Sequence, residues 1–447
     1  MLRRSGEERT VLFHALRGAI LALNCGIDHA EELCALPSAI VDQLNFEGFL
    51  VTPQCDEIKE LDQRERDTAN RLSTLRLALV TGYNCNLACK YCFVPEVWKG
   101  WGRPVPAGSM SNDTIQQVLR FVEVAHEATG FTRLSADFVG LGEPLASRQA
   151  LMSLLKVLSR FAARTGVTQS FIIVTNGTLL TDEFAAALSP YRPMFQISLD
   201  GGPEYHNRQR TDKRGVGTYE TIINSLRTLA RFELPFSIRI NVADQTREDL
   251  VGLLEDVYAV ARERAPILLS PILPGSIEAC QASFTAAASQ SVAMSQAMTE
   301  VVAHGLTLAT PPFYRPLPCY GCAKMSFAID MFGDLYPCEG LVGNLTARIA
   351  SLLECGTAAV FAKPDIACEQ PCRECSIRPS CGGACPAWHH FGFTRGQCSR
   401  DVGVLLDLVK AGLCRCYPDW FDAENIGDWR VIAPPGIPKK GHDHVIS

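Results

Sequence analysis

Between residues 75 and 272, short apolar runs bounded by Gly, Asn and Pro alternate with segments whose apolar residues recur at helical spacing. The six predicted strands are LRLALVT, LSADFVGL, FIIVT, MFQISLD, FSIRINV and ILLSP. The clearest helix begins after Ser111, a residue type that suits an N-cap, and ends at Gly130. Six strand–helix units predict an α/β fold with a parallel sheet, either open or closed into a barrel.

The first seventy residues follow a different pattern. The opening run MLRRSGEERTVLFHALRGAILAL has helical spacing, carries Glu7 and Glu8, and lacks a small-residue cleavage site, so we interpret it as a folded amphipathic helix rather than a signal peptide. A second apolar segment ends in NFEGFLV, which we predict to be a strand, and a charged helix EIKELDQRERDTANRL follows. We therefore expect residues 1–72 to form a separate small α/β module.

Composition narrows the class of protein. The chain has 447 residues, enough for several domains, and its net charge of −6 argues against a nucleic-acid phosphate binder. No apolar run reaches the length that spans a bilayer, so we expect a cytoplasmic protein without membrane contact. Most of the 19 cysteines lie in closely spaced groups, which favours metal or cluster ligation over a disulfide framework.

Unusual residues follow five of the predicted strands. They are the cysteine run YNCNLACKYCF, then Gly140–Pro144, Thr175–Gly177, Ser198–Gly202 and Asn241. Each segment alone would be typical of an ordinary turn. Because ligands bind at the carboxyl ends of parallel strands, five such segments on one rim predict a binding site there.

The first cysteine group is Cys85-x3-Cys89-x2-Cys92. Three cysteines can hold three irons of a 4Fe–4S cluster and leave the fourth iron open to a small molecule, whereas electron-transfer clusters usually have four cysteine ligands. The alternative is a zinc site that a distant histidine completes.

A second cysteine group follows the proline-rich run TPPFYRPLP, and we expect residues 275–315 to be a helical linker into it. Its members are Cys319, Cys322, Cys338, Cys368, Cys372, Cys375, Cys381, Cys385 and Cys398. Eight ligands suffice for two four-cysteine sites, with a pair of zinc ribbons as the alternative to iron–sulfur clusters. We assign this domain to residues 316–420 and a C-terminal tail to 421–447, and we expect the last run of that tail, PPGIPKKGHDHVIS, to be disordered.

With these motifs, the chain resembles the radical S-adenosylmethionine (SAM) superfamily, in particular its SPASM-domain branch. The resemblance rests on the Cys triplet, Gly-Glu-Pro, TNGTLL, SLDGG, HNRQR, GTY, Gly-x4-Cys and CGGACPA. It implies a partial (β/α)6 barrel over residues 73–274 and a C-terminal auxiliary iron–sulfur domain.

The resemblance also implies a cofactor site. Cys85, Cys89 and Cys92 would ligate the catalytic 4Fe–4S cluster, whose open iron binds SAM. Contacts to SAM would come from the loop Gly140–Pro144 (including Gly142 and Glu143) for the amino group, Arg210 for the carboxylate, Ser198 and Asn176 for the ribose, and Tyr91 and Asn241 for the adenine, with Asp200 in the same site. The first glycine of the usual Gly-Gly-Glu-Pro sequence is Leu141 here, with Gly140 beside it.

Two auxiliary 4Fe–4S clusters are implied for the C-terminal domain. One set would be Cys319, Cys322, Cys338 and Cys385, and the other Cys372, Cys375, Cys381 and Cys398. Cys368, Cys414 or Cys416 would be the alternative to Cys398 as the last ligand.

The activity implied is reductive SAM cleavage followed by hydrogen abstraction from a ribosomally made peptide or protein, forming a thioether or carbon–carbon cross-link, with a flavodoxin- or ferredoxin-type reductant. Residues 1–72 would recognise a leader peptide by adding a strand at NFEGFLV, or would only cap the barrel. The first alternative is formylglycine formation of the sulfatase-maturing type, with Glu339 as the catalytic base. The others are a small-molecule oxidoreductase and a non-catalytic zinc or electron-transfer protein.

Overall fold

The computed structural model describes the central two-thirds of the chain almost continuously. The described residues are 2–4, 10–14, 19–27, 29–52, 54–100, 104–243, 245–271, 287–309, 320–353, 378 and 429–431. Among the sequence predictions, most of the cysteine-rich domain, including Cys319, Cys372, Cys375, Cys381, Cys385 and Cys398, lies outside these residues.

The six predicted strands form the centre of the molecule. They are β4 (Thr74–Leu79), β5 (Arg133–Phe138), β6 (Thr168–Thr175), β7 (Met194–Ser198), β8 (Phe236–Val242) and β9 (Ile267–Pro271). All neighbouring pairs are parallel and follow chain order, with Leu79 opposite Phe138 and Ser198 opposite Arg239. The prediction of an α/β fold with a parallel sheet is confirmed.

Helices connect these strands and cover one face of the sheet. They are α3 (Phe93–Gly100), α4 (Asn112–Thr129), α5 (Arg148–Thr165), α6 (Asp182–Leu188), α7 (Pro203–Gln209), α8 (Tyr219–Arg231), α9 (Arg247–Ala261) and α10 (Ala287–Ala303). The ends of α4 are as predicted, because Ser111 accepts a hydrogen bond from the Thr114 N–H and Gly130 adopts φ 63°. Alternate strand residues pack against these helices in one continuous apolar core.

Three further strands extend the sheet beyond β4. They are β10 (Ser326–Ile329), which is parallel to β4, followed by the antiparallel β11 (Asp334–Tyr336) and β12 (Ala350–Ser351). The β10–β11 turn relies on Gly333 at φ 86° and on Asp330, whose Oδ1 accepts from the Phe332 and Asp334 N–H groups. The sequence analysis gave no hint that this hairpin pairs with the barrel.

The N-terminal module has a small core and an antiparallel sheet of its own. The sheet order is β13 (Trp429–Val431), β1 (Leu2–Arg4), β2 (Thr10–His14) and β3 (Ala19–Leu23). Helices α1 (Ser38–Phe46) and α2 (Glu57–Ala69) follow, and α2 is the predicted charged helix. Apolar residues of β2 and β3 pack with Leu33 and Leu44 in a core separate from that of the barrel.

Two predictions for this module are wrong. The opening segment forms strands instead of a helix, because β2 pairs with β3 along its full length, and the apolar period of a single segment does not reveal such pairing. The segment NFEGFLV is not a strand: Phe46 ends α1, and Gly48 turns the chain at φ 79°. Residues 429–431, which belong to the segment assigned as the C-terminal tail, pair with β1.

Candidate functional site

The predicted cysteine loop lies at the carboxyl end of β4, where the barrel strands present their polar ends. Cys85 and Cys89 are partly buried and Cys92 is exposed at the start of α3. The Leu87 N–H and the Asn176 Nδ2 point at the Cys85 Sγ, at 3.4 and 3.9 Å. Hydrogen bonds to cysteine sulfur are a common means of tuning an iron–sulfur centre.

The charge of Arg210 acts to lower the pKa of all three cysteine thiols. Burial raises the pKa of the Cys85, Cys89 and Cys92 thiols, and the positive charge of Arg210 opposes that rise in each of them. Because metals bind the thiolate form, this charge favours the form that ligates. No three His, Cys, Asp or Glu side chains among the described residues are arranged around a single ion, but a cubane cluster places each cysteine on a different iron.

The loop Gly140–Pro144 ends β5 beside this site. Gly142 has no room for a side chain, since a Cβ there would come within 2.6 Å of the Gly82 carbonyl oxygen. Glu143 is buried and points inward: its Oε1 accepts from the Leu145 N–H at 2.9 Å and the Thr175 hydroxyl at 2.5 Å, and its Oε2 accepts from the Asn176 N–H at 2.8 Å. These bonds fasten the loop to the end of β6.

The side chain of Asn176 also holds the cysteine loop in place. Its Nδ2 donates to the Asn86 Oδ1 at 3.0 Å, and its Oδ1 accepts from the Thr178 N–H at 2.9 Å. The amide therefore links the end of β6 to the segment between Cys85 and Cys89. Ser198, predicted to meet the ribose, is partly exposed, and its hydroxyl has no hydrogen bond within the described parts of the chain.

A second group of predicted residues converges on the Tyr91 hydroxyl. It donates to Asp200 Oδ2 and accepts from the Arg210 NH1 at 2.6 Å and the Asn241 Nδ2 at 3.1 Å. Asn241 Nδ2 also donates to Asp200 Oδ1 at 2.8 Å. Burial raises the pKa of Tyr91, with Arg210 opposing and Asp200 adding to the rise, so the phenol stays protonated as a donor.

Arg210 retains hydrogen-bonding capacity at this point. Burial opposes its charge, but Tyr91 and Asp200 outweigh it and raise the pKa of the guanidinium, which stays charged. The Arg210 Nε is buried and has no acceptor in the described residues, and NH1 lies 3.8 Å from Asp200 Oδ2. A buried donor beside the cysteine loop fits the carboxylate of an amino-acid ligand.

Several residues that were not predicted from the sequence also support this group. His206 Nδ1 accepts from the Asp200 N–H at 3.4 Å, its Nε2 lies 3.1 Å from the Thr218 hydroxyl, and that hydroxyl donates to the Arg210 carbonyl at 2.8 Å. Burial is the largest cause that lowers the pKa of His206 to about 4, so the ring is neutral. His206 lies within the HNRQR motif, which was the available signal.

Glu339 lies in a turn directly after Cys338, and it is exposed. Its charge reaches two residues that point into the barrel: it adds to the burial that raises the pKa of Asp137 to about 6, and it opposes the burial that lowers the pKa of Arg239. Cys322 precedes β10 and Cys338 follows β11, so both lie at the end of this hairpin opposite its turn.

Comparison with known proteins shows which proteins this chain is similar to. Residues 79–257 match the radical SAM superfamily. The serine-type anaerobic sulfatase-maturating enzyme of Klebsiella aerogenes is 27% identical over 164 residues, which is 37% of this chain and 38% of that relative. A cysteine-type enzyme of the same kind from Clostridium perfringens is 22% identical over 368 residues, 76% of this chain and 92% of that protein.

Two solved structures share the fold. One is anSMEcpe with bound AdoMet and the Cp18Cys peptide, with a TM-score of 0.56 at 16% identity over 79% of this chain and 99% of that one. The other is SuiB from Streptococcus suis bound to the precursor peptide SuiA, with a TM-score of 0.52 at 12% identity over 89% and 98%. No helix in the described residues has the length and apolar character needed to cross a membrane.

The parallel sheet, the cysteine loop at its rim and the sequence match agree. Members of this superfamily use a 4Fe–4S cluster and SAM, and the cysteine donors and the buried Arg210 Nε fit that pair of ligands. The chain contains, over residues 79–257, a domain of the radical SAM superfamily.

Proposed function

We propose that this protein is a radical SAM enzyme of the SPASM branch that modifies a ribosomally made peptide or protein, installing a thioether or carbon–carbon cross-link. The observation that carries the proposal is the convergence of the cysteine loop, Tyr91 and Arg210 on one rim of the barrel. Both fold neighbours named above were solved with a peptide bound, which favours a peptide substrate over a small molecule.

In this proposal Cys85, Cys89 and Cys92 hold the cluster and Arg210 binds the SAM carboxylate. When bound, the cluster and SAM supply a carbon-centred radical that takes a hydrogen atom from the substrate. The protein's part is to hold the ligands and exclude water. Glu143 would fix the loop that meets the amino group, and Tyr91 would hold the Arg210 guanidinium in place through their hydrogen bond.

The test is anaerobic reconstitution followed by metal analysis and measurement of 5′-deoxyadenosine after reduction. We expect iron and sulfide to be bound and 5′-deoxyadenosine to form in the wild type but not in Cys89→Ala. The matched control is Cys34→Ala, an exposed cysteine of the N-terminal module, which should behave as the wild type. Zinc without iron, or no 5′-deoxyadenosine from the wild type, would contradict the proposal.

Formylglycine formation of the sulfatase-maturing type is the second candidate. It is favoured by the two sulfatase-maturating relatives and by the effect of the Glu339 charge on the pKa of Asp137, which points into the barrel. Glu339 would act as the base on a substrate Cys or Ser. A peptide carrying a sulfatase Cys motif separates the candidates. Aldehyde product that disappears in Glu339→Gln would favour this function, and no product from the wild type would exclude it.

The remaining parts of the proposal concern the regions around the barrel. Cys322 and Cys338 would both be ligands of one of two auxiliary clusters, which would accept electrons from the substrate. A flavodoxin- or ferredoxin-type protein would be the separate reductant of the catalytic cluster. Residues 1–72 would recognise a leader peptide. Since NFEGFLV is not a strand, the edge for β-augmentation is β3, the last strand of its sheet. Leader binding that survives deletion of residues 1–72 would contradict this role.

A further inference from the structure

The two faces of β8 differ in polarity. Phe236, Ile238, Ile240 and Val242 belong to the core beneath the helices, and the alternate residues Ser237, Arg239 and Asn241 point the other way. Because β8 lies between β7 and β9 in the parallel sheet, this second face is the interior of the partial barrel. Asn241 already belongs to the Tyr91 group, and Arg239 lies deeper on the same face.

Arg239 has an incomplete set of partners. Its NH2 group donates to the Ser270 hydroxyl on β9 at 2.9 Å, and its Nε is buried without an acceptor in the described residues. None of the Asp and Glu side chains in the described chain comes within ion-pair distance of it. Arg378, by contrast, is paired with Asp62 at 2.8 Å.

The charges around Arg239 leave room for an added anion. Burial lowers the pKa of Arg239, Tyr91 and Asp200 oppose that effect, and Arg210 adds to it. Asp200 is already engaged, because its carboxylate accepts from Tyr91 and Asn241. A partly buried cation whose Nε is buried without an acceptor, and whose described hydrogen-bond partner is a neutral hydroxyl, is costly. A planar guanidinium best satisfies its donors with a carboxylate.

We propose that Arg239 is a specificity-determining residue that binds a carboxylate of the peptide substrate. The inference rests on the proposed function, because it places the substrate in the barrel interior. The carboxylate has two sources in a peptide, an Asp or Glu side chain or the chain terminus, and the experiment below separates them. Arg239 lies within β8, whereas Arg210, which the proposed function assigns to the SAM carboxylate, follows α7.

The experiment uses the reconstituted holoenzyme with SAM, without reductant, immobilised under anaerobic conditions. Three pools of short random peptides are applied: central Glu with an amidated terminus, central Gln with an amidated terminus, and central Gln with a free carboxyl terminus. Retention is measured by mass spectrometry. We expect one carboxylate pool to be retained about tenfold over the amidated Gln pool, as for a hydrogen bond to a charged group.

Substitutions test whether Arg239 causes the preference for a carboxylate pool. Arg239→Gln should abolish the preference and Arg239→Lys should keep part of it. The control Arg227→Gln removes an exposed arginine of α8 and should match the wild type. No preference in the wild type, a preference that survives Arg239→Gln, or loss of SAM affinity in place of peptide preference would overturn the inference.

A parallel measurement separates this inference from the proposed function. The wild type is reduced in the absence of peptide and 5′-deoxyadenosine is quantified. Formation of 5′-deoxyadenosine with no preference among the pools overturns only the role of Arg239. Absence of 5′-deoxyadenosine overturns the proposed function, whatever the pools show.

Discussion

Tyr91 and Arg210 are 119 residues apart in the chain, and the Arg210 NH1 donates a 2.6 Å hydrogen bond to the Tyr91 hydroxyl. Tyr91 immediately precedes the last cysteine of the triplet, and Arg210 follows α7. This bond joins the cysteine loop to the group that contains Asp200 and Asn241. Several properties of the site depend on it.

Replacing Tyr91 with Phe should weaken both stability and SAM binding. The substitution removes the donor to Asp200 and the acceptor for Arg210, both of which are buried. We expect a loss of about 1–3 kcal/mol in the free energy of unfolding, measured in urea, and weaker SAM binding by the holoenzyme. Tyr258→Phe, at an exposed tyrosine, should change stability by less than about 0.5 kcal/mol. Unchanged SAM affinity in Tyr91→Phe would separate the two effects.

His206 should make stability depend on pH in the acidic range. Its pKa in the folded protein is about 4, against 6.5 for an unperturbed histidine, so the unfolded state binds more protons between these values. Stability therefore falls as pH drops from about 6.5 to about 4, by on the order of 3 kcal/mol. Urea unfolding of His206→Gln across this range should show a shallower dependence than the wild type. Parallel curves for the two proteins would be inconsistent with a neutral buried His206.

Asp137 should have the opposite effect. Burial, partly offset by Arg76 and increased by Glu339, raises its pKa to about 6 from 3.8. The folded state holds the proton over this range and the unfolded state releases it, so stability falls as pH rises from about 4 to 6. Asp137→Asn should therefore stabilise the protein by roughly 1–3 kcal/mol at neutral pH and not at pH 4. The control Asp42→Asn, at an exposed position of α1, should show no such pH-dependent gain.

Gly142→Ala tests the close approach of two loops. The new Cβ would lie 2.6 Å from the Gly82 carbonyl oxygen and from the Tyr83 carbonyl carbon, both backbone atoms. We expect a loss of roughly 1–3 kcal/mol and weaker SAM binding, because the loop must move away from the site. Gly252→Ala in α9 has nothing within 4 Å and should stabilise by up to about 1 kcal/mol. Calorimetry of both variants provides the comparison.

The local pattern of apolar and turn residues was sufficient to predict the strands of the barrel. It was insufficient to predict those of the N-terminal module. The strands of the barrel are short apolar runs with turn residues between them, and helix α4 has both of its caps written in the sequence. In the module, the segments of β2 and β3 have an apolar content that would also suit a helix. Their pairing with each other favours the strand conformation over the helix. The β10–β4 pair joins residues some 250 positions apart in the chain. A pattern within either segment therefore cannot predict that they pair.

The sequence by itself determined which residues surround the rim, because parallel strands bring their carboxyl ends to one edge and each end carried a motif. Only the tertiary structure decided which of these residues contact one another and which remain able to bind a ligand. Glu143 turns inward to hold its loop, and Tyr91 connects Arg210 with Asp200, because burial forces each polar atom to find a partner. The same requirement singles out Arg239, whose alternate position in β8 is visible in the sequence but whose unmatched Nε appears only in the fold.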